Sequence, residues 1–135
     1  YGGQGNRGTT DFVFYAFANI QGYSRMGSYI GNGSANGPFV HTGFKPAMVM
    51  IKISDGSDEW LIYDNKRDTT NVTSRRLNPS SNGAEQTSQT IDMLSNGFKP
   101  RSTGGNINTD NNTYIYYAVA EAPFVSSKGV PTTAR

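Results

Sequence analysis

A chain of 135 residues is long enough for one domain, which at this size buries roughly two-thirds of the surface its unfolded form exposes. Gly 16 and Pro 6 among many Ser, Thr and Asn, with 35% hydrophobic and 12% aromatic residues, describe many short strands and turns. A formal charge of +2 creates no field favouring nucleic acid or a membrane surface, the absence of cysteine excludes disulfides and thiolate metal sites, and no apolar run reaches the ~20 residues of a membrane helix.

Residues 1–10 carry no apolar periodicity and are rich in turn-forming types, so they read as a flexible lead-in. The chain opens on Tyr1 rather than Met and reads as a processed or excised piece of something longer. A strand is expected over residues 11–19, with apolar side chains on both faces, which is the pattern of a central strand covered from two sides. This strand, Phe12-Val-Phe-Tyr-Ala-Phe-Ala18, has a gapless echo in Tyr114-Ile-Tyr-Tyr-Ala-Val-Ala120. Such bracketing fits either one domain closed by two similar central strands or a tandem array whose units each end on this strand. On either reading, residues 12–18 are expected to share a core with residues 114–120.

A short strand follows around residues 27–30, ended by a turn-rich run containing Asn32-Gly33 and Asn36-Gly37. Residues 39–42 look extended, and Gly43-Phe-Lys-Pro46 makes a turn that recurs as Gly97-Phe-Lys-Pro100. The strongest strand is 47–53, with Val49, Ile51 and Ile53 on a core face and Met48, Met50 and Lys52 opposite. A polar turn at 54–58 returns the chain as an antiparallel partner over 59–64, and this hairpin also looks covered on both faces. Residues 65–90 turn polar and predict an edge meander with a weak strand near Val72 to Leu77. Strands at 91–94 and 98–101 flank the Asn96-Gly97 turn, the closing strand spans 113–121, and residues 125–135 form an extended tail beyond a sandwich domain at 11–124.

Little in the chain points to catalysis. His41 is the only histidine, which removes any histidine pair, triad or multi-histidine metal site. Asp55, Asp58 and Glu59 share one turn, yet their spacing is not that of a calcium loop. Asp64, Asp68 and Asp92 are the carboxylates available for glycoside hydrolysis, and nothing in the sequence fixes two of them at a working separation. Asn32, Asn71 and Asn111 begin glycosylation-type triplets that also fall in turns, where Asn is wanted for backbone reasons. Tyr23, Tyr29, Trp60 and Tyr63 are the aromatics available for a sugar-stacking or protein-binding surface, with Arg75 and Arg76 as a locally basic pair; core packing is the competing use of the same rings. No cofactor is expected.

The ordered blocks Gly22-Tyr-Ser24, Gly31-Asn-Gly-Ser-Ala-Asn-Gly-Pro-Phe-Val40, Thr42-Gly-Phe-Lys-Pro-Ala-Met-Val-Met-Ile-Lys52, Ile91-Asp-Met-Leu-Ser-Asn-Gly-Phe-Lys99 and Thr113-Tyr-Ile-Tyr-Tyr-Ala-Val-Ala-Glu-Ala-Pro-Phe124 resemble the C-terminal module of large structural proteins of marine bacteriophages. The resemblance covers about residues 11–124. It implies a non-enzymatic virion protein, tail-fibre-like, assembled in the bacterial cytoplasm, with copies of itself, other virion proteins and a host surface glycan or outer-membrane protein as partners. The alternatives are a capsid-decorating or assembly protein and a polysaccharide depolymerase. The fold expected is an antiparallel, jelly-roll-like β-sandwich of about eight strands.

Overall fold

The computed structural model describes residues 11 and 13–123, so the flexible lead-in expected at 1–10 and the tail expected at 125–135 lie outside the described residues. Those described residues form eight antiparallel strands and no helix. In chain order the strands are β1 (Ser24–Ile30), β2 (Val40–His41), β3 (Pro46–Ile53), β4 (Leu61–Asp64), β5 (Arg76–Leu77), β6 (Ile91–Leu94), β7 (Gly97–Pro100) and β8 (Thr113–Ala120). A five-stranded sheet runs β1-β8-β3-β4-β5, and a three-stranded sheet runs β2-β7-β6.

Period-two alternation decides which face of each strand meets the other sheet. Along β3 the alternate residues Val49, Ile51 and Ile53 are buried, and along β8 so are Tyr114, Tyr116, Ala118 and Ala120. Four aromatics then carry the core from one sheet to the other. Tyr29 of β1 stacks on Tyr114 at 5.1 Å between centroids, meets Phe98 of β7 edge-on at 5.9 Å, and Phe98 meets Tyr116 edge-on at 5.3 Å. Full burial of a side chain such as Phe98 is worth about 2 to 3 kcal/mol, and these ring pairs are what make the two sheets a sandwich.

The outermost pairings, β1 with β8 and β2 with β7, are those of an eight-stranded hairpin rolled into a jelly roll. Of the inner pairings, β4 with β5 is kept and β3 with β6 is not. β3 pairs with β4 and β6 pairs with β7 as plain hairpins, so after β3 the chain stays in the five-stranded sheet instead of crossing over. Short polar connections explain this: residues 54–60 and Ser95-Asn96 close local hairpins before a crossover is needed.

The strand expected over 11–19 is not formed. Residues 13–19 are irregular, and Phe14 and Phe17 are 85% and 56% exposed, so this segment does not share the sandwich core with β8. The reason is topological. Both neighbours that a central strand needs, β1 and β3, already pair with β8 over most of their length. The segment instead turns back at Gly22, whose φ is 69°, and Ile20 bonds to Ser24 at the start of β1.

The recurring Gly-Phe-Lys-Pro turn shares its side-chain alternation but not its backbone. Phe44 and Phe98 are buried, as are Pro46 and Pro100, while Lys45 is exposed. Gly43 sits in a turn at φ 85°, whereas Gly97 opens β7, where an added Cβ would lie 2.2 Å from the Val40 carbonyl oxygen.

Candidate functional site

The alternation that fills the core leaves the other face of the five-stranded sheet looking outward. Its registers place Met26 beside Tyr117, Tyr117 beside Met50, Met50 beside Ile62, and Ile62 beside Leu77. One side chain from each strand thus forms an unbroken apolar row across the whole sheet, every member half-buried. Val119 and Met48 extend it on one side, and Ile115, 40% exposed, on the other. Lys52 and Asp64 mark opposite polar corners. No second layer of strands covers this face among the described residues.

The only described segment that crosses the face is the arm ahead of β1. Phe17 stacks on Tyr117 with ring centroids 4.6 Å apart and planes 30° from parallel. Ser24 Oγ donates to the Ala18 carbonyl at 2.7 Å, and the Met26 N–H donates to Asn19 Oδ1 at 2.5 Å, which fastens the arm to the free edge of β1. The Tyr117 hydroxyl has its pKa raised by burial and by the nearby Tyr23. Beyond Phe17, residues Val13 to Tyr15 stand in solvent.

The face is apolar, methionine-rich and aromatic, with charges only at its corners. Three of the four methionines, Met26, Met48 and Met50, lie on this face, while Met93 is in the core. The sequence did show apolar residues on both faces of these strands. That pattern suggests two-sided cover, but periodicity reports which residues alternate and not whether anything lies against them.

The aromatics expected to form a binding surface do not gather. Tyr29 and Tyr63 are buried, and each hydroxyl donates to a backbone carbonyl, of Ile107 and Gln89 respectively, at 2.7 Å. Burial pushes both phenols well above the usual tyrosine value, with the neighbouring Arg76 partly offsetting it at Tyr63. Both are therefore corrected to core residues. Tyr23 stays 40% exposed at the start of β1, and Trp60 is half-buried ahead of β4, three strands away.

The basic pair splits as well. Arg75 is exposed and faces Asp68 at 3.6 Å and Glu85 at 4.0 Å. Arg76 points the other way, is 4% exposed, and donates to the Ser88 carbonyl at 2.8 Å and to Gln86 Oε1 at 2.6 Å. It ties the meander to β5 and presents no cation to a ligand.

The carboxylates hold turns. Asp64 accepts the backbone N–H of Lys66 and Arg67 at 2.9 and 2.8 Å and pairs with the Arg67 guanidinium at 2.7 Å. Asp68 accepts the N–H of Arg75 at 2.7 Å and of Ser74 at 2.6 Å, and these bonds hold its pKa below the ordinary carboxylate value. Asp92 pairs with Arg101 at 3.4 Å. Asp55 caps Thr113 at 2.9 Å, while Glu59 accepts from Asn78, so that turn disperses its acids. The triplet asparagines are engaged too, with Nδ2 of Asn32, Asn71 and Asn111 donating to Asn36 O, Met93 O and Asp110 Oδ2.

A cleft of about 460 Å³ opens at the β1 end of the sandwich, lined among others by Gln21, Arg25, His41 and Phe44. Its lining mixes polar side chains and the Arg25 guanidinium with the Phe44 ring.

Over residues 1–123 the sequence matches the family described as Domain of unknown function (DUF7483). No curated protein and no solved structure matches it.

Proposed function

The chain belongs to that DUF7483 family, and from this premise we propose that it is a non-enzymatic structural module of a bacteriophage particle, of tail-fibre or appendage type, that works by contact. The observation carrying this reading is the apolar row Met26–Tyr117–Met50–Ile62–Leu77, which spans the outward face of the five-stranded sheet. A face of this composition gains more from excluding water against another protein than from binding a sugar. The partner is a neighbouring virion protein or an outer-membrane protein of the host. Engagement of Asp64, Asp68 and Asp92 in turns and ion pairs favours contact over polysaccharide hydrolysis, which needs one carboxyl group held protonated.

Substitution of the row tests it. Met50→Lys and Ile62→Lys place charge on the face without touching the core, so each keeps the fold, and phage carrying both are expected to lose incorporation of the protein into particles or attachment to cells. Normal particle composition together with normal adsorption by the double variant would overturn the reading. A second reading, adhesion to a host glycan, is favoured by the cleft at Arg25 and His41. Arg25→Ala would then abolish cell binding while leaving assembly intact.

A further inference from the structure

The two sheets end in four edge strands, β1 and β5 of one and β2 and β6 of the other, and main chain left open at such an edge is a template for another strand. Three of the edges are closed or very short. On β6, Thr73 and Ile91 exchange main-chain bonds at 2.8 and 3.0 Å, and the Asn71 side-chain amide imitates a strand by accepting the Met93 N–H and donating to its carbonyl, both at 2.9 Å. On β5, Arg76 and Gln86 exchange bonds at 2.9 and 3.0 Å. β2 is two residues long.

The second half of β1 is different. At its two ends Tyr23 and Gly31 bond toward the β8 side, to Ala120 and to Asn111 and Asn112. By the alternation of an antiparallel ladder, Arg25, Gly27 and Tyr29 therefore turn their main-chain groups to β8, while Ser24, Met26, Ser28 and Ile30 turn theirs to the edge. Ile20 takes both groups of Ser24, and Asn19 Oδ1 takes the Met26 N–H. Ser28 and Ile30 each keep an N–H and a carbonyl with no partner among the described residues. No charge and no proline guards the stretch Met26-Gly-Ser-Tyr-Ile30. Ile30 is 62% exposed, and Ile115 lies diagonally from it across the ladder.

We propose that two copies of this chain join along this edge, antiparallel and related by a two-fold axis at Tyr29, so that Ser28 of each pairs with Ile30 of the other and the two five-stranded sheets become one. The neighbouring residues select this register. An axis at Ser28 would set Ile30 of the second copy against the Met26 N–H, which Asn19 already holds, whereas an axis at Tyr29 leaves that bond alone. Each Ser28–Ile30 pair then exchanges both of its main-chain bonds. On the outward face Ile30 comes beside Ser28 and diagonal to Ile115 of the second copy, and the exposed isoleucines of both copies leave water together. On the inward side the residues that meet are Gly27 and Gly31, which carry no side chain, and Tyr29, whose hydroxyl is held in its own core by the Ile107 carbonyl.

Charges also match. Farther along the same register Arg25 faces Gly33 of the second copy, over which Asp110 lies, with its Cβ 3.1 Å from where a Gly33 side chain would begin. Arg25 has no ion partner among the described residues, and Asp110 has only the Asn111 amide. The loop over residues 31–39 leaves toward the other sheet while the arm crosses the outward face at Phe17, so the two pass on opposite sides of the joint. The open stretch and the opposed charges are each their own complement under a two-fold axis, which is why a second copy fits this edge. Both apolar faces then lie on one side of the joint sheet, and the pairing does not depend on what those faces meet.

Sedimentation of the 135-residue chain over a rising concentration series tests the pairing. Its mass is expected to climb from 14.6 kDa to twice that value. Ser28→Pro deletes an edge N–H that the chain's own sheet does not use, and is expected to weaken the dimer at least about thirtyfold, since a bond is lost on each side of the axis. Ile30→Lys is expected to do the same by setting charge in the joint, and thermal unfolding of both variants as monomers should stay near that of the parent. An exposed ion pair is worth little, so removal of Arg25 leaves the dimer formed, but reversal opposes like charges at both ends of the joint. Arg25→Glu and Asp110→Arg are each expected to weaken the dimer about tenfold, and the two together to restore it. A chain that stays monomeric at millimolar concentration, a dimer indifferent to Ser28→Pro and Ile30→Lys, or a double charge reversal that fails to recover what each single reversal loses would overturn the proposal.

Discussion

Asn108 and Asn32 hold each other from two directions. The Asn32 backbone N–H donates to Asn108 Oδ1 at 2.9 Å, and Asn108 Nδ2 donates back to Asn32 Oδ1 at 3.1 Å. The same Nδ2 reaches the carbonyls of Ser34 at 2.7 Å and Ser102 at 2.9 Å. One buried amide thus satisfies three backbone groups from two loops that are distant in sequence, in a place where water cannot substitute.

Replacing Asn108 by Ala should therefore cost about 3 kcal/mol, since it strands a donor and two acceptors in the interior. Asn32→Ala removes a side chain but leaves its backbone N–H bonded, and should cost about 1 kcal/mol. Denaturant unfolding of the two variants measures the difference. Equal losses would mean that the amide pair, and not the Asn108 hub, is what matters.

The two Gly-Phe-Lys-Pro glycines should respond to alanine for different reasons. At Gly97 the new Cβ would meet the Val40 carbonyl at 2.2 Å, forcing β2 off β7, a clash worth about 2 to 3 kcal/mol. At Gly43 the nearest atom is 3.8 Å away, and only the φ of 85° resists, at about 1 kcal/mol. Thermal unfolding should rank Gly97→Ala well below Gly43→Ala, and the reverse order would show that the β2–β7 contact is loose.

Alkaline unfolding should be governed by the buried phenols. Tyr29 and Tyr63 have folded pKa values raised above the unfolded one by burial, so folding favours their protonated forms. Their contribution is whole below about pH 10 and is lost as pH climbs from there toward the raised values. The phenolate absorbance of Tyr29 and Tyr63 should appear only as the protein unfolds. Tyr63→Phe should reduce that late rise, and ionisation of these two phenols ahead of unfolding would contradict their burial.

Much of the fold was legible because most strands here obey the period of two and are punctuated by turns. Residues 47–53 and 113–121 match β3 and β8 within a residue and the turn at 54–58 lies in the β3–β4 connection, while of the weak strand expected near Val72 to Leu77 only Arg76–Leu77 forms. What periodicity could not supply was the partner. Residues 11–19 have every mark of a central strand, yet pairing is settled by competition for a slot, and β8 occupies it. The same gap hides which side chains face outward. Tyr29 and Tyr63 looked available because tyrosine serves surfaces and cores alike, whereas Met50, Ile62 and Leu77 looked spoken for because they are apolar. Only the registers show that they share one row.

The first and last strands of the sandwich are neighbours, and the chain enters and leaves at one corner, where the Ala120 N–H bonds the Tyr23 carbonyl at 2.8 Å. Tension applied at those two points does not shear the β1–β8 ladder along its length. It loads the pair at Ser24 and Val119 first, then Arg25 and Ala118, and so on inward. Load carried through this corner would open the pair one rung at a time, lengthening the chain stepwise and letting it close again when the load slackens.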